Sequence, residues 1–199
     1  MFKIKISLVL AVATCAFSAI ATPALAFTEF VAKNAPVQLK DLNKGVHVFE
    51  TGGSASVECN RAESTAEAQK AKATTLKVAV KYTQCEVKAF AQKFPAEVSQ
   101  AKYLFNVNGT SSVENTIVIK VPIAGCEITV TPQSNQGLKA VTYTDVTGQT
   151  NKEVEVKAAV EGITQTTKGS AGTCGTSSSS GKYKGTSIER AVTGDVEVL

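Results

Sequence analysis

Apolar and polar residues alternate with a period of two along much of the chain. In the segment TLKVAVKY, Leu76, Val78 and Val80 fall on one side, whereas Lys77 and Lys81 fall on the other. Successive side chains of a β-strand point to opposite faces of a sheet, so this pattern predicts a strand with one buried face. The same alternation recurs in NTIVIKVP, GCEITVTP and KEVEVKAAVEG, and the shorter candidates are GVHVFETG, ASVEC, KAVTYTD, YKGTSIE and DVEVL.

Turn-forming residues separate these predicted strands. They are Gly52-Gly53, Asn108-Gly109, Pro132 to Gly137, Gly148 and the Gly/Ser-rich run from Gly169 to Gly185. Many short strands divided by such turns are typical of an antiparallel sandwich or barrel. We therefore expect an all-β fold, specifically an immunoglobulin-like or related antiparallel β-sandwich.

One segment, RAESTAEAQKAKA at residues 61–73, departs from the alternation. It is rich in helix formers, but its apolar positions are nearly all alanine, so a helix here would bury little surface. We expect the strand that contains Cys59 to continue into the first part of this segment and a loop to follow. A short helix is the alternative.

The N-terminus has the features of a secretory signal peptide. Lys3 and Lys5 precede an apolar run of about 15 residues, which is shorter than the roughly 20 that a membrane span needs. The small residues Ala24 and Ala26 predict cleavage before Phe27. Residues 27–199 then form a single secreted domain, without stable membrane insertion. A faint lipoprotein pattern ending at Cys15 is the weaker alternative, because Thr14 is a poor residue at that place.

Charge excludes some partners. Removal of Lys3 and Lys5 lowers the formal net charge from +4 to +2. Arg61 and Arg190 are the only arginines, so bidentate phosphate contacts are scarce. We therefore expect no nucleic-acid partner.

Four cysteines remain once Cys15 leaves with the signal peptide, and an even number in an exported chain predicts disulfides. They are Cys59, Cys85, Cys126 and Cys174. Three pairings are possible, and we favour Cys59–Cys85 and Cys126–Cys174, which join neighbours in the sequence. The second bridge would tie the Gly/Ser-rich run to a core strand. Cys85 is out of phase with the apolar positions of TLKVAVKY, which predicts a bulge or a strand end near Thr83.

The sequence offers few catalytic candidates. His47 is the single histidine, and the chain has no G-x-S-x-G motif. Glu127, Glu153 and Glu155 fall on the polar side of predicted strands, so we expect them to face solvent. No cysteine pair has the close spacing of zinc or redox motifs. We expect no enzyme, no cofactor and no metal site.

A wider pattern resembles a known group of proteins. The segments HVFETGGSASVEC, VAVKYTQCEVKAFAQKFPAEV, GCEITVTPQSNQGLKAVTYTD, VEVKAAVEGI and SSGKYKGTSI occur in this order. The chain thereby resembles a group of uncharacterised secreted β-rich proteins, chiefly from high-GC Gram-positive soil bacteria. The resemblance spans nearly the whole mature chain and rests on strands, turns and cysteines. It implies a bacterial origin, export and disulfides at the four cysteines, but no activity. Many members carry a further cysteine pair near SQAKYLFNV and TIVIKV, which is absent from this chain.

These observations predict a secreted or cell-surface, non-enzymatic protein with a binding or structural role, whose partner is an unidentified protein or glycan at the cell surface. Binding would use strand edges or the loops at Pro132–Gly137 and Lys168–Gly185. The alternatives are a fibre or coat subunit that assembles through strand edges, and an extracellular hydrolase of unrecognised type.

Overall fold

The computed structural model of the protein describes residues 29–32, 37–68, 72–136, 141–146, 153–192 and 196–198. The predicted signal peptide and its cleavage positions Ala24, Ala26 and Phe27 lie outside these residues. The same holds for Gly137 and Gly148 in two of the predicted turns.

Strands dominate the described residues. They are β1 (Phe30–Ala32), β2 (Val37–Asn43), β3 (His47–Glu50), β4 (Ser56–Ala68), β5 (Lys72–Ala73), β6 (Thr75–Ala89), β7 (Gln92–Val98), β8 (Ala101–Asn106), β9 (Ser111–Val113), β10 (Ile117–Val121), β11 (Cys126–Val130), β12 (Gln133–Gln136), β13 (Val141–Val146), β14 (Glu153–Lys168), β15 (Ser178–Ala191) and β16 (Val196–Val198). Besides these strands the described residues contain one 3₁₀ turn at Pro122–Ala124 and one short helix, α1 (Ala171–Cys174). The all-β prediction is confirmed.

The alternating pattern places the buried faces as predicted. On β6, Leu76, Val78 and Val80 are buried, while Lys77 and Lys81 are exposed. The strand prediction for the first part of residues 61–73 is also confirmed, because β4 runs without interruption to Ala68. Asn108-Gly109 forms the expected turn between β8 and β9, with Gly109 at a φ of 80°.

The sheet closes on itself. Strands β3, β4, β6, β7, β10, β11, β14 and β15 pair in this order, each antiparallel to the next, and β15 pairs again with β3. We call this set the ring. The immunoglobulin-like sandwich is not confirmed, because these pairings join the strands into one continuous sheet.

Four long strands extend beyond the ring. There β2 pairs with both β4 and β15, β8 pairs with β6, and β13 pairs with β14. A separate three-stranded sheet, in the order β16, β1, β5, lies nearby. Phe30 of β1 joins it to the main core through an edge-on contact with Tyr143 of β13, whose ring centroid is 5.1 Å away.

Both expected disulfides are present. Cys59 and Cys85 are directly opposite each other on β4 and β6, with Cα atoms 4.0 Å apart. Gln84 has a φ of 54° and lies between the buried residues Tyr82 and Cys85, so the expected irregularity in phase occurs here. It lets both Tyr82 and Cys85 face the interior.

The second disulfide fixes the connection between β14 and β15. Cys174 in α1 is fully buried and bonded to Cys126 at the start of β11, with Cα atoms 6.3 Å apart. Gly169, which begins this connection, has a φ of 89°, and a Cβ there would lie within 3.0 Å of Cys126. Cys174 is therefore the structural staple that its Gly/Ser-rich surroundings predict.

Three predictions from local composition are wrong. The run from Gly169 to Gly185 is not all loop, because Ser178 to Gly185 form the first half of β15 and pair with β14. Residues Gln133–Gln136, expected in a loop, form β12. Glu153 is buried rather than solvent-facing, because its carboxylate pairs with the guanidinium of Arg190 directly opposite on β15.

Loss of the second disulfide tests its contribution to stability. Replacing Cys126 and Cys174 together by serine should lower the free energy of unfolding by roughly 4 kcal/mol, because the bridge closes a loop spanning 48 residues. Urea denaturation under non-reducing conditions measures this change. The Cys59→Ser, Cys85→Ser variant should lose a similar amount, roughly 3.5 kcal/mol, for its span of 26 residues. An unchanged unfolding midpoint in either double variant would contradict the assignment.

Candidate functional site

Four aromatic side chains, one histidine and three tyrosines, form a hydrogen-bonded series that crosses the interior of the sheet. His47 begins β3, and its Nδ1 atom is 2.7 Å from the hydroxyl of Tyr183 on β15. Tyr82 of β6 donates to Tyr183 at 3.2 Å and is also 3.2 Å from the hydroxyl of Tyr103 on β8. Each of these residues sits at an inward position of its strand, so the sheet's alternation brings them together.

Gly185 leaves space for the side chains of His47 and Tyr183. It lies two residues after Tyr183 on β15 and faces the same side of the sheet. A Cβ atom at this position would overlap the Nδ1 atom of His47 and would lie 2.7 Å from the hydroxyl of Tyr183. A glycine in the strand interior costs some strand stability, and here the close approach of the imidazole requires it.

Burial favours the uncharged forms of His47, Tyr82 and Tyr103 near neutral pH. Desolvation lowers the pKa of His47 below its ordinary value. Desolvation also raises the pKa of Tyr103 to about 12 and raises that of Tyr82 well above its ordinary value. The Nε2 atom of His47 is buried and has no hydrogen-bond partner among the described residues.

An interior cavity of about 110 Å³ adjoins His47 and the three tyrosines. Its walls are mostly apolar and include Val80, Ile119 and Val160, with His47 at one position. Ligand pockets for ordinary small molecules measure roughly 300–1,000 Å³. This cavity has room for a few solvent-sized groups, so it is too small for a typical substrate.

A serine and a carboxylate line the same cavity. Ser64 on β4 donates its hydroxyl hydrogen to both carboxylate oxygens of Glu189 on β15, at 2.7 and 2.9 Å. A serine nucleophile needs its hydroxyl hydrogen directed at a base such as an imidazole. Here that hydrogen is directed at Glu189, and the imidazole Nδ1 of His47 meets Tyr183. The geometry therefore gives the hydrolase hypothesis little support.

A much larger concave surface lies on the outside of the sheet, and we call it the trough. It encloses about 1850 Å³ and is open to solvent. Strands β2, β4, β6 and β8 supply most of its lining, and β5 lies along its rim. Exposed side chains of the trough include Lys40, Arg61, Glu63, Lys77 and Lys102.

Sequence reasoning did not find this surface. Alternation identifies Lys77 and Lys81 as outward positions of β6, but it does not reveal which strands lie beside β6. Pairing decides this, since β4 and β8 lie beside this part of β6 and β2 lies beside β4. The predicted binding loops are elsewhere, and both lie largely within strands β12 and β15.

The described residues contain neither a candidate metal site nor a candidate membrane-spanning helix. Among the described residues, no cluster of three or more histidine, cysteine, aspartate or glutamate side chains is placed to hold a metal ion. In the same part of the chain, no helix has the length and hydropathy that a membrane span needs.

Comparison of the chain with protein-family models, with curated proteins and with solved structures yields no match. The function is therefore argued from the geometry alone.

Gly185→Ala tests the packing around the hydrogen bond between His47 and Tyr183. The added methyl group should destabilise the protein by about 1–3 kcal/mol, because it displaces His47 or Tyr183. Ser179→Ala, an exposed change on the same strand, should stay within about 0.5 kcal/mol of the parent. Urea unfolding of both variants measures the difference, and equal stability of the two would show that the close approach is absent.

His47 should make stability depend on pH. Its pKa is lower in the folded protein than in the unfolded chain, so the unfolded chain binds the proton first as pH falls. The free energy of unfolding should therefore fall below about pH 6.5, by at most about 1.4 kcal/mol per pH unit, until the folded-state pKa is reached.

The matched variant for this test is His47→Gln, which keeps a polar side chain but does not titrate. Urea unfolding between pH 7.5 and pH 5.5 should give a shallower pH dependence for this variant than for the parent. Parallel curves would show that His47 is not the group responsible.

Proposed function

We propose that the protein is a secreted or cell-surface, non-enzymatic binding protein that holds its partner in the trough. The observation that carries this proposal is the contrast between the two concave regions, about 1850 Å³ for the trough and about 110 Å³ for the interior cavity. A partner of macromolecular size fits only the first. Its class is a protein or glycan of the cell surface.

Two features of the scaffold support this role. The two disulfides are compatible with an extracellular protein, because such bonds persist in oxidising compartments. The trough lies on the faces of hydrogen-bonded strands, and binding residues are most effective on a rigid scaffold. The immunoglobulin-like sandwich, as a finer description of that scaffold, and the resemblance to secreted bacterial proteins both stay predictions.

The fibre or coat alternative is less well supported. Assembly through strand edges needs unpaired backbone groups along an exposed strand. Each of the eight ring strands has a pairing partner on both sides, so among the described strands the edges open to such addition are those of β5, β12, β13 and β16, which are two to six residues long. Size-exclusion chromatography over a wide concentration range should give a monomer, whereas a concentration-dependent polymer would favour the alternative.

Filling the trough tests the proposed function. Ala79 lies in the floor of the trough, so Ala79→Trp places an indole where the partner would lie. We expect this variant to lose binding of the labelled protein to envelopes of its own host, measured by saturable co-sedimentation, by on the order of tenfold. Ser179→Trp carries the same side chain on an exposed position outside the trough and should bind as the parent does.

The parent must first show saturable binding that unlabelled protein displaces. If it does, and Ala79→Trp binds as tightly as Ser179→Trp, the trough is not the binding surface. Circular dichroism of both variants separates loss of binding from loss of fold.

A further inference from the structure

The strand register places two lysines on opposite sides of the trough. Lys40 of β2 is opposite Thr65 of β4, Thr65 is opposite Ala79 of β6, and Ala79 is opposite Lys102 of β8. Directly opposite residues point to the same face of a sheet. The row therefore has small side chains in its middle and a long cationic side chain at each end.

Two more lysines share this face. Lys77 and Lys81 lie two residues before and after Ala79 on β6, so they point the same way. Lys77 lines the trough, whereas Lys81 lies outside its lining, directly opposite Glu63. Among the described residues, no carboxylate lies within 4.0 Å of the ammonium groups of Lys40, Lys77, Lys81 or Lys102. Arg61 pairs with Glu63 at 2.7 Å and is thereby neutralised.

Lysines elsewhere on the surface are arranged differently. Five of them pair with glutamates, mostly across neighbouring strands: Lys44 with Glu155, Lys88 with Glu58, Lys93 with Glu86, Lys182 with Glu161 and Lys184 with Glu50. Such pairs neutralise the charge of these five lysines. In the described lining of the trough, Lys40, Lys77 and Lys102 outnumber Glu114 once the Arg61–Glu63 and Lys72–Glu29 pairs are set aside. This net positive charge indicates an anionic partner.

The spacing of these lysines favours a polymer over a small anion. Lys40 and Lys102 are three strands apart, roughly 14 Å, and Lys77 is two residues along β6 from the middle of their row, roughly 7 Å. A single phosphate or carboxylate would contact one lysine at a time. A chain molecule with repeated negative charges would contact several together.

Uncharged polar side chains complete the lining. The exposed ones are Gln38, Asn60, Thr65, Thr74, Thr75 and Gln84. Hydroxyl and amide groups donate and accept hydrogen bonds, so they match the hydroxyl groups of a sugar. The combination of separated lysines with many neutral hydrogen-bonding groups indicates an acidic glycan.

Other polyanions fit less well. Single-stranded nucleic acid needs exposed aromatic side chains for base stacking, whereas Tyr103, the one aromatic among the described lining residues, is bonded to Tyr82 inside. The lining has one arginine, Arg61, which is already paired. An acidic peptide would gain little by strand addition, because β2, β4, β6 and β8 pair with one another across the trough floor.

We propose that the trough binds a linear acidic polysaccharide, with Lys40, Lys77 and Lys102 contacting its carboxylates. This inference rests on the proposed function, because it names the class of partner held in the trough. The lysines supply charge attraction, and the threonines and glutamines supply hydrogen bonds to the sugars.

The test uses polygalacturonate as the probe and isothermal titration calorimetry of the secreted protein. The Lys77→Glu, Lys102→Glu variant should bind on the order of tenfold more weakly, and added salt should weaken binding of the parent. The matched control is Lys93→Glu, Lys157→Glu, which changes the net charge equally at exposed positions outside the trough. It should bind nearly as the parent does.

Three results would overturn the inference. They are an equal loss of affinity in both charge variants, equal binding of neutral dextran, and tighter binding of single-stranded DNA or polyglutamate than of polygalacturonate. Failure of the proposed function looks different, since Ala79→Trp would then leave envelope binding intact. If Ala79→Trp blocks that binding while Lys77→Glu, Lys102→Glu does not, the trough is the binding surface but its partner is not an acidic polysaccharide.

Discussion

The pairing of β3 with both β4 and β15 is the constraint on which the rest of the structure depends. This strand has only four residues, His47–Glu50, yet it joins β4 to β15 in the ring, and β2 joins the far parts of the same two strands. Closure gives every ring strand two neighbours and so satisfies backbone groups that an open edge would expose. It also separates an inside, where His47 meets Tyr183, from an outside that carries the lysines of the trough.

Closure brings costs that particular residues offset. A histidine in the closing strand must be accommodated inside, and Gly185 provides the space while Tyr183 provides a hydrogen bond. The connection from β14 to β15 has little apolar surface of its own, and the bond between Cys126 and Cys174 holds it to the core. The bond between Cys59 and Cys85 holds the β4–β6 pair at the point where both strands leave the ring. These bonds stabilise the fold mainly by restricting the unfolded chain.

The sequence predicts the local elements well and the surface poorly. Alternation is a local property, so β6, β10, β11 and β14 follow directly from their residues. The adjacent-cysteine rule gives both disulfides, and the phase change before Cys85 gives the irregularity at Gln84. Composition misleads at Ser178–Gly185, where pairing with β14 outweighs the loop tendency of glycine and serine. It misleads again at Glu153, where Arg190 compensates for burial. The trough arises from neighbours far apart in the chain, which no local pattern reveals.

One closed sheet places the hydrogen-bonded side chains of His47 and the three tyrosines on its inside and the basic face of the trough on its outside. Nuclear Overhauser contacts across β3 test this most directly. If the sheet is closed, backbone contacts from Val48 to Lys184 on β15 and from Phe49 to Val57 on β4 occur in the same folded species. Contacts on one side of β3 without the other would contradict closure, and with it the separation on which the proposed binding surface rests.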